Sequence, residues 1–324
     1  MAHELTTRAN GFVEIAWAGQ TPWHGLGQKL EEGADIETWR RAAGLDWHIN
    51  SAPVMYDTSL GTTETFAKQN VLYRSDNGAA MSTVSDRYKI VQPEQVLDFF
   101  NKLVEQQGFK LHTAGSLKGG KRIWALAETG QVANVLTGDP VARYVLLATS
   151  FDRGMATTAK ETNIRVVCAN TLAMADRDTQ NMVSIPHNTD FVAESVHRQL
   201  GLTRTNFDKF IEQAKFLASK QVNANAFNYF MQNLLGKQEL LDDNNIADIT
   251  RNRAYRKILE LFDGAAVGSD IAGVRGTGWQ LLNAVTEYVD HHAPTRNTDA
   301  RLNSAWFRKG SNLKTAALQL ATAM

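Results

Sequence analysis

One cysteine, Cys168, stands among 324 residues. An internal disulfide and a multi-cysteine zinc site are both excluded. Charge of either sign is not in excess. The 34 Lys and Arg balance 34 Asp and Glu, so a nucleic-acid or membrane role requires a local patch instead of a global field. No run of about 18 apolar residues occurs, which predicts no membrane span. The opening MAHELTTRANGF lacks an apolar stretch flanked by basic residues and does not read as a signal peptide. With the single thiol, this predicts a cytoplasmic protein. Fixed-period repeats and low-complexity tracts are lacking too, which argues against solenoids and propellers. The GxxxxGKS/T and GxGxxG phosphate cradles, the GxSxG elbow and HExxH do not occur either.

What is present is a pattern that changes along the chain. Residues 1–50 read as irregular, with a loop at TPWHGLGQ and one short helix from Asp35, the N-cap candidate, to Ala43. From 51 to 189 the runs NVLYRSD, AAMSTVSDRYKIV, FKLHTAGSLKGGKRIWALAET, YVLLATSFD and ETNIRVVCANTLAMA read as strands. Turns are predicted at Asp76–Gly78 and at Gly119–Gly120, and the last run is expected to pass into a helix capped by Asn170 or Thr171. PEQVLDFFNKLVEQQG interrupts them as a helix, with Pro93 in its first turn and Val96, Leu97, Phe100, Leu103 and Val104 at helical spacing. From about Asp190 six segments favour helices. The expected fold class is α+β, an antiparallel hairpin-rich β region followed by a mainly helical region over 190–324. Hairpins in place of βαβ units argue against a doubly wound nucleotide-binding fold.

Charge shifts along the chain as well. Residues 1–100 hold 8 Lys/Arg against 13 Asp/Glu, 101–200 hold 11 against 9, and 201–324 hold 15 against 12. Cations and aromatic rings interleave in the β region: Arg87, Lys89, Lys118, Lys121, Arg122, Trp124, Arg153, Lys160 and Arg165. Single-stranded nucleic acid is bound by this combination, with cations for the backbone and flat rings for stacking. The competing reading is the charged, water-facing side of ordinary strands.

Three smaller motifs compete for attention. In GWQLLNAVTEYVDHH, the residues Glu287, Asp290 and His291 lie off the apolar stripe of Leu281, Leu282, Val285, Tyr288 and Val289. Glu287 and His291 stand at i and i+4, half of a possible metal site, although a polar helix face is the commoner meaning. GVRGTGW, residues 273–279, could present a helix N-terminus to a phosphate, or be a flexible loop. Cys168 reads as a buried small hydrophobe, and Trp23–His24 as a structural pair in a glycine loop.

Several stretches taken together, PWHGLG, VSDRYKIVQPEQVLDFF, RVVCANTL, GWQLLNAVTEYVDH, RLNSAWF and LKTAAL, resemble the phage/plasmid-like protein family built on domain of unknown function 932. The resemblance runs from about Pro22 to Leu320. Where that family often has a His-Asp-Gly-type turn, this chain reads Phe151-Asp152-Arg153-Gly154, so no histidine role carries over there. The resemblance implies a phage, plasmid or laterally transferred setting. Antiparallel hairpins followed by helices in such a setting look broadly like the single-strand annealing proteins of phage recombination, the RecT and Red-beta types.

The expectation is therefore a non-enzymatic protein, without cofactor, that binds and anneals single-stranded DNA as a homo-oligomeric ring or filament. Its contacts would come from the nine cation and aromatic positions named above. Two alternatives stand beside it: an enzyme acting on nucleotides or nucleic acid through Glu287, Asp290 and His291 as metal ligands or acid/base groups, and a protein-binding counter-defence factor.

Overall fold

The computed structural model describes residues 6–8, 10–19, 27–167, 170–172, 182–200, 204–236, 249–294, 304–306 and 309–324. Cys168 and the Trp23–His24 pair lie outside the described residues. Within them the order is β1 (Ile15–Ala18), β2 (Gln28–Leu30), α1 (Ile36–Ala42), β3 (Ile49–Asp57), β4 (Thr63–Arg74), β5 (Ala80–Ser85) and α2 (Pro93–Gln107). Then follow β6 (Lys110–Leu117), β7 (Arg122–Asn134), β8 (Pro140–Ser150), β9 (Thr157–Arg165), β10 (Asn170–Leu172) and β11 (Met182–Ile185). The helical part holds α3 (Ala193–Leu200), α4 (Arg204–Ser219), α5 (Ala224–Leu235), α6 (Arg253–Glu260), α7 (Gly278–Glu287) and α8 (Lys309–Ala323). One π-helical turn, Tyr288–His292, extends α7, while α6 runs on into Leu261–Ala265, where Gly264 at φ 124° breaks the helix.

The α+β class and the change from strands to helices are as the sequence indicates. The large sheet has the order β10-β9-β8-β7-β6-β1-β2, with β11 sharing the β9 edge with β10; β3-β4-β5 form a separate sheet. Every pairing is antiparallel except β1 with β2. Residues 15–18 and 28–30 are thus strands of the main sheet, not irregular chain. IAWA shows no alternation because all four residues are buried. Asn170 and Thr171 are likewise strand residues paired with Ile164 and Arg165, not helix caps.

Strand β8 lies between β7 and β9 and is buried along nearly its whole length. Its Val145 and Leu147 join the core beneath α1, α2 and the small sheet, together with Trp39, Phe99, Phe100 and Phe151. Its Ala142, Tyr144, Leu146 and Ala148 face the opposite way, against Ile15, Leu117 and Trp124. The helices pack around a third core that includes Phe210, Phe230, Trp279 and Leu318 and takes Val141 from the end of β8. Helix α2 is set as its sequence indicates. Pro93 occupies the first turn, Gln95 Oε1 accepts the Gln92 N–H at 2.8 Å, and Gly108 closes the helix at φ 70°. Asp35 caps α1 by accepting the Thr38 N–H at 2.7 Å. No helix among the described residues is long and apolar enough to cross a membrane.

Candidate nucleic-acid interface

The turn joining β6 to β7 and the turn joining β8 to β9 lie side by side. Arg122 pairs with Ser150 across the strands, and the Phe151 N–H donates to Lys121 O at 2.8 Å. Lys118 and Arg153, at the tips of the two turns, have φ of 56° and 58°. That left-handed backbone is uncommon for residues with long side chains and turns both away from the strand direction. Gly120 must be glycine here, at φ 89°. A Cβ on it would lie 2.7 Å from Arg74 Nη1 and 3.0 Å from the Trp47 ring.

The small sheet docks on this end. Ser82 Oγ donates to Phe151 O at 2.5 Å and Tyr88 Oη donates to Ser150 O at 2.8 Å. Burial and the Asp152 carboxylate push the Tyr88 phenol up, so it remains a proton donor. Tyr88 stacks on His187 at 4.5 Å, and burial lowers that imidazole's pKa. His187 Nε2 lies 3.1 Å from Met155 O, while the Lys89 N–H donates to His187 O at 2.5 Å. Arg74, at the foot of β4, is 1% exposed and meets the fully buried Glu14 through both terminal nitrogens, at 2.7 and 3.1 Å. It also lies 4.1 Å over the Trp47 ring. A buried, bidentate pair of this kind fixes the small sheet on the end of the large one.

Five of the nine sequence-selected residues therefore gather at one end with solvent access: Arg87, Lys89, Lys118, Lys121 and Arg153. Asp152 lies 3.8 Å from Lys118 and 3.5 Å from Arg122, and Asp190 lies 3.2 Å from Lys89. Of the other four, Arg122, Trp124 and Arg165 are buried, Lys160 is half-buried, and all are held by the chain itself. Arg122 is 2% exposed beside Asp152, and Trp124 is 2% exposed with its ring 4.9 Å from that of Trp306. Lys160 Nζ donates to Trp306 O at 2.5 Å; burial and the neighbouring Lys314 bring its pKa down to about 7. Arg165 sits at the far end of β9, opposite Val141, nine residues along β8 from Ser150, or roughly 30 Å at strand spacing. It is bound by Asp139. Arg122, Trp124 and Arg165 do not face solvent and Lys160 is half-buried, because strand residues assigned to a wet face meet partners distant in sequence.

The rings that sequence reading missed are on the β3–β4 hairpin. Beyond Gln69, where β5 begins to pair, the two strands run on as a ribbon that no third strand among the described residues joins. Met55, Tyr56, Leu60 and Phe66 are 50–88% exposed there, with Tyr56 and Phe66 in edge contact at 6.4 Å. The Asp86 N–H donates to Lys68 O at 3.2 Å, so the ribbon leaves the body of the protein beside Arg87. The apolar run Val54-Met55-Tyr56 in β3 could have drawn attention to the ribbon, but its exposure on both faces had no local signal.

A model of the family described as Domain of unknown function (DUF932) matches residues 80–306. The chain belongs to this family. No curated protein and no solved structure matches it. The DUF932 match begins at the first residue of β5, so the β3–β4 ribbon precedes it, while Lys118, Lys121 and Arg153 fall inside.

The polar face of the GWQLLNAVTEYVDHH helix packs inside the protein. Every residue of α7 is buried. Asp290 binds Lys314 at 2.8 Å, and Glu287 Oε2 accepts the Val267 N–H at 3.1 Å. Burial pushes the Glu287 carboxyl up. The histidine beside Glu287 is His292, at 3.6 Å, rather than the i+4 residue His291, since the π-helical turn inserts an extra step. Among the described residues no group of three or more His, Cys, Asp or Glu converges as a metal site. The N-terminus of α7 is closed to phosphate as well. The Gly278 N–H donates to Lys220 O at 2.8 Å, the Gln280 N–H to Thr277 Oγ1 at 3.2 Å, and the Gly276 N–H to Gln280 Oε1 at 2.6 Å.

Proposed function

We propose that this DUF932 protein binds single-stranded DNA and promotes annealing, acting as a homo-oligomer in a phage or plasmid setting. The observation that supports the reading is the juxtaposition of Arg87, Lys89, Lys118, Lys121 and Arg153 with a projecting ribbon bearing exposed Tyr56 and Phe66. Cations that track a phosphate backbone beside rings that accept bases are what sequence-tolerant strand binding requires. The contact pairs to Asp152 and Asp190 are at the surface and weak enough for a phosphate to displace. The mechanism is passive: the cations neutralise phosphates, the rings stack bases, and coated strands are presented to one another.

Fluorescence anisotropy with a labelled oligonucleotide at about 50 and 200 mM salt tests it. Binding that weakens steeply with salt is expected. Absence of binding at the lower salt, or binding indifferent to salt, would overturn the reading. If a host protein is instead captured by the ribbon while DNA is not bound, the exposed Met55, Leu60 and Phe66 belong to a protein interface.

A further inference from the structure

Helix α6 carries charge in an arrangement that opposes its own stability. Arg253, Arg256, Lys257 and Glu260 recur at i, i+3, i+4 and i+7 and form one stripe, while Tyr255 and Ile258 are buried on the opposite side. Like charges at these spacings repel. Arg253 also stands in the first turn, which has no acidic residue and where the helix dipole disfavours a cation. Arg256 Nη2 donates to the Arg251 carbonyl at 3.0 Å, and Lys257 pairs with Glu260 at 2.8 Å. Among the described residues the Arg253 side chain has no hydrogen-bond partner. Three cations against one exposed carboxylate remain.

The stripe is one wall of a 510 Å³ pocket, open to solvent, whose other wall is Tyr288 and His292. A π-helical turn, Tyr288–His292, supplies the facing side chains. Such turns occupy well under about 1% of residues in proteins and are concentrated at functional sites. Behind the pocket, Glu287 is 4% exposed and holds His292 at 3.6 Å. His292 thus stands between that carboxylate and the α6 cations that line the pocket.

We infer that this pocket binds a terminal phosphate group, gripped by the Arg253 and Arg256 guanidiniums and Lys257, with Tyr288 and His292 closing the far side. Guanidinium forks match the oxygens of a phosphate dianion and offset the repulsion along α6. Glu260 is placed to release Lys257 when the anion enters. The same chemistry could be presented by a free nucleotide or by the 5′ end of a nucleic-acid strand. The inference does not rest on DNA binding at the sheet end.

Calorimetry on the full chain, in a low-salt buffer without phosphate, tests it with inorganic phosphate and pyrophosphate as probes. Saturable binding is expected, weakened about tenfold or more by Arg253→Gln with Arg256→Gln. Both positions are exposed, so circular dichroism should be unchanged; Lys257→Gln alone gives an independent second variant. No binding of either probe, or equal binding by parent and double variant, would overturn the proposal. Tighter binding of a 5′-phosphorylated than of a 5′-hydroxyl oligonucleotide identifies a strand end, and binding of a nucleoside monophosphate without that preference identifies free nucleotide. Because the probes contain no DNA, failure here leaves strand binding at Lys118 and Arg153 separately measurable in the same variants.

Discussion

Asp139 and Arg165 meet through two parallel hydrogen bonds, Nε to Oδ1 at 2.6 Å and Nη2 to Oδ2 at 2.9 Å, with neither residue more than 1% exposed. Trp279 Nε1 donates to the same carboxylate at 2.8 Å, and Arg165 also reaches the carbonyls of Val267 and Gly268, at 3.2 Å each. One ion pair thus ties the β7–β8 turn and β9 to α7 and the loop before it. Removing one member leaves a buried, uncompensated charge. Arg165→Met is expected to cost about 3–5 kcal/mol in urea unfolding. A stability change within experimental error, with reduced DNA affinity, would instead give Arg165 a binding role.

The sheet-end cations should behave in the opposite way. Replacing Lys118, Lys121 and Arg153 together by alanine removes up to three phosphate contacts. The slope of log affinity against log salt is expected to become shallower by about 2, at roughly 0.7 per contact on single strands. The melting temperature should move little, since none of the three is a core residue.

On the ribbon, Tyr56→Ala and Phe66→Ala are expected to leave stability within about 0.5 kcal/mol, because both rings are exposed. Each is expected to lower strand affinity by about 1–3 kcal/mol if it stacks a base, read by anisotropy at fixed salt. Unchanged affinity in both variants would place the strand elsewhere.

Lys160 gives a pH signature of known sign. Its pKa is brought down to about 7 by burial and by Lys314, from 10.5 in the unfolded chain. The unfolded state therefore binds more protons between these values, and stability should rise as pH increases from about 7 toward 10. The slope is expected to approach, at most, about 1.4 kcal/mol per pH unit between pH 8 and 9. Lys160→Met should flatten that slope and stabilise the protein most at or below neutrality. Urea titrations of both proteins at pH 6 to 9 measure it; parallel curves would show that Lys160 does not carry the effect.

Local signals explain what could be read without coordinates. Helix α2 announced itself through Pro93 and five apolar residues at helical spacing, and the Gly119–Gly120 turn through two adjacent glycines. Both depend on neighbours in sequence. The cations at 87, 89, 118, 121 and 153 were visible as a composition, and folding brings them to one end. Arg122, Lys160 and Arg165 look no different in sequence, yet their partners stand 30, 146 and 26 residues away. Alternation along a strand tells two faces apart but does not say which is wet when a helix or a second sheet covers both. Glu287 in α7 and Asp290 in the turn after it are opaque for the same reason, because the Val267 N–H and Lys314 meet them from 20 and 24 residues away.

The π-helical turn at Tyr288–His292 amounts to one residue more than a regular helix needs. Deleting any one of those five residues would restore the ordinary repeat and rotate whatever follows by about 100° relative to α7. Asp290 and Lys314 could then not stay paired while Glu287 kept both Val267 and His292, although hardly any chemistry would have left the segment. Here the reading frame of the helix matters more than its alphabet. Substitutions that preserve length should be tolerated far better than a single-residue gap.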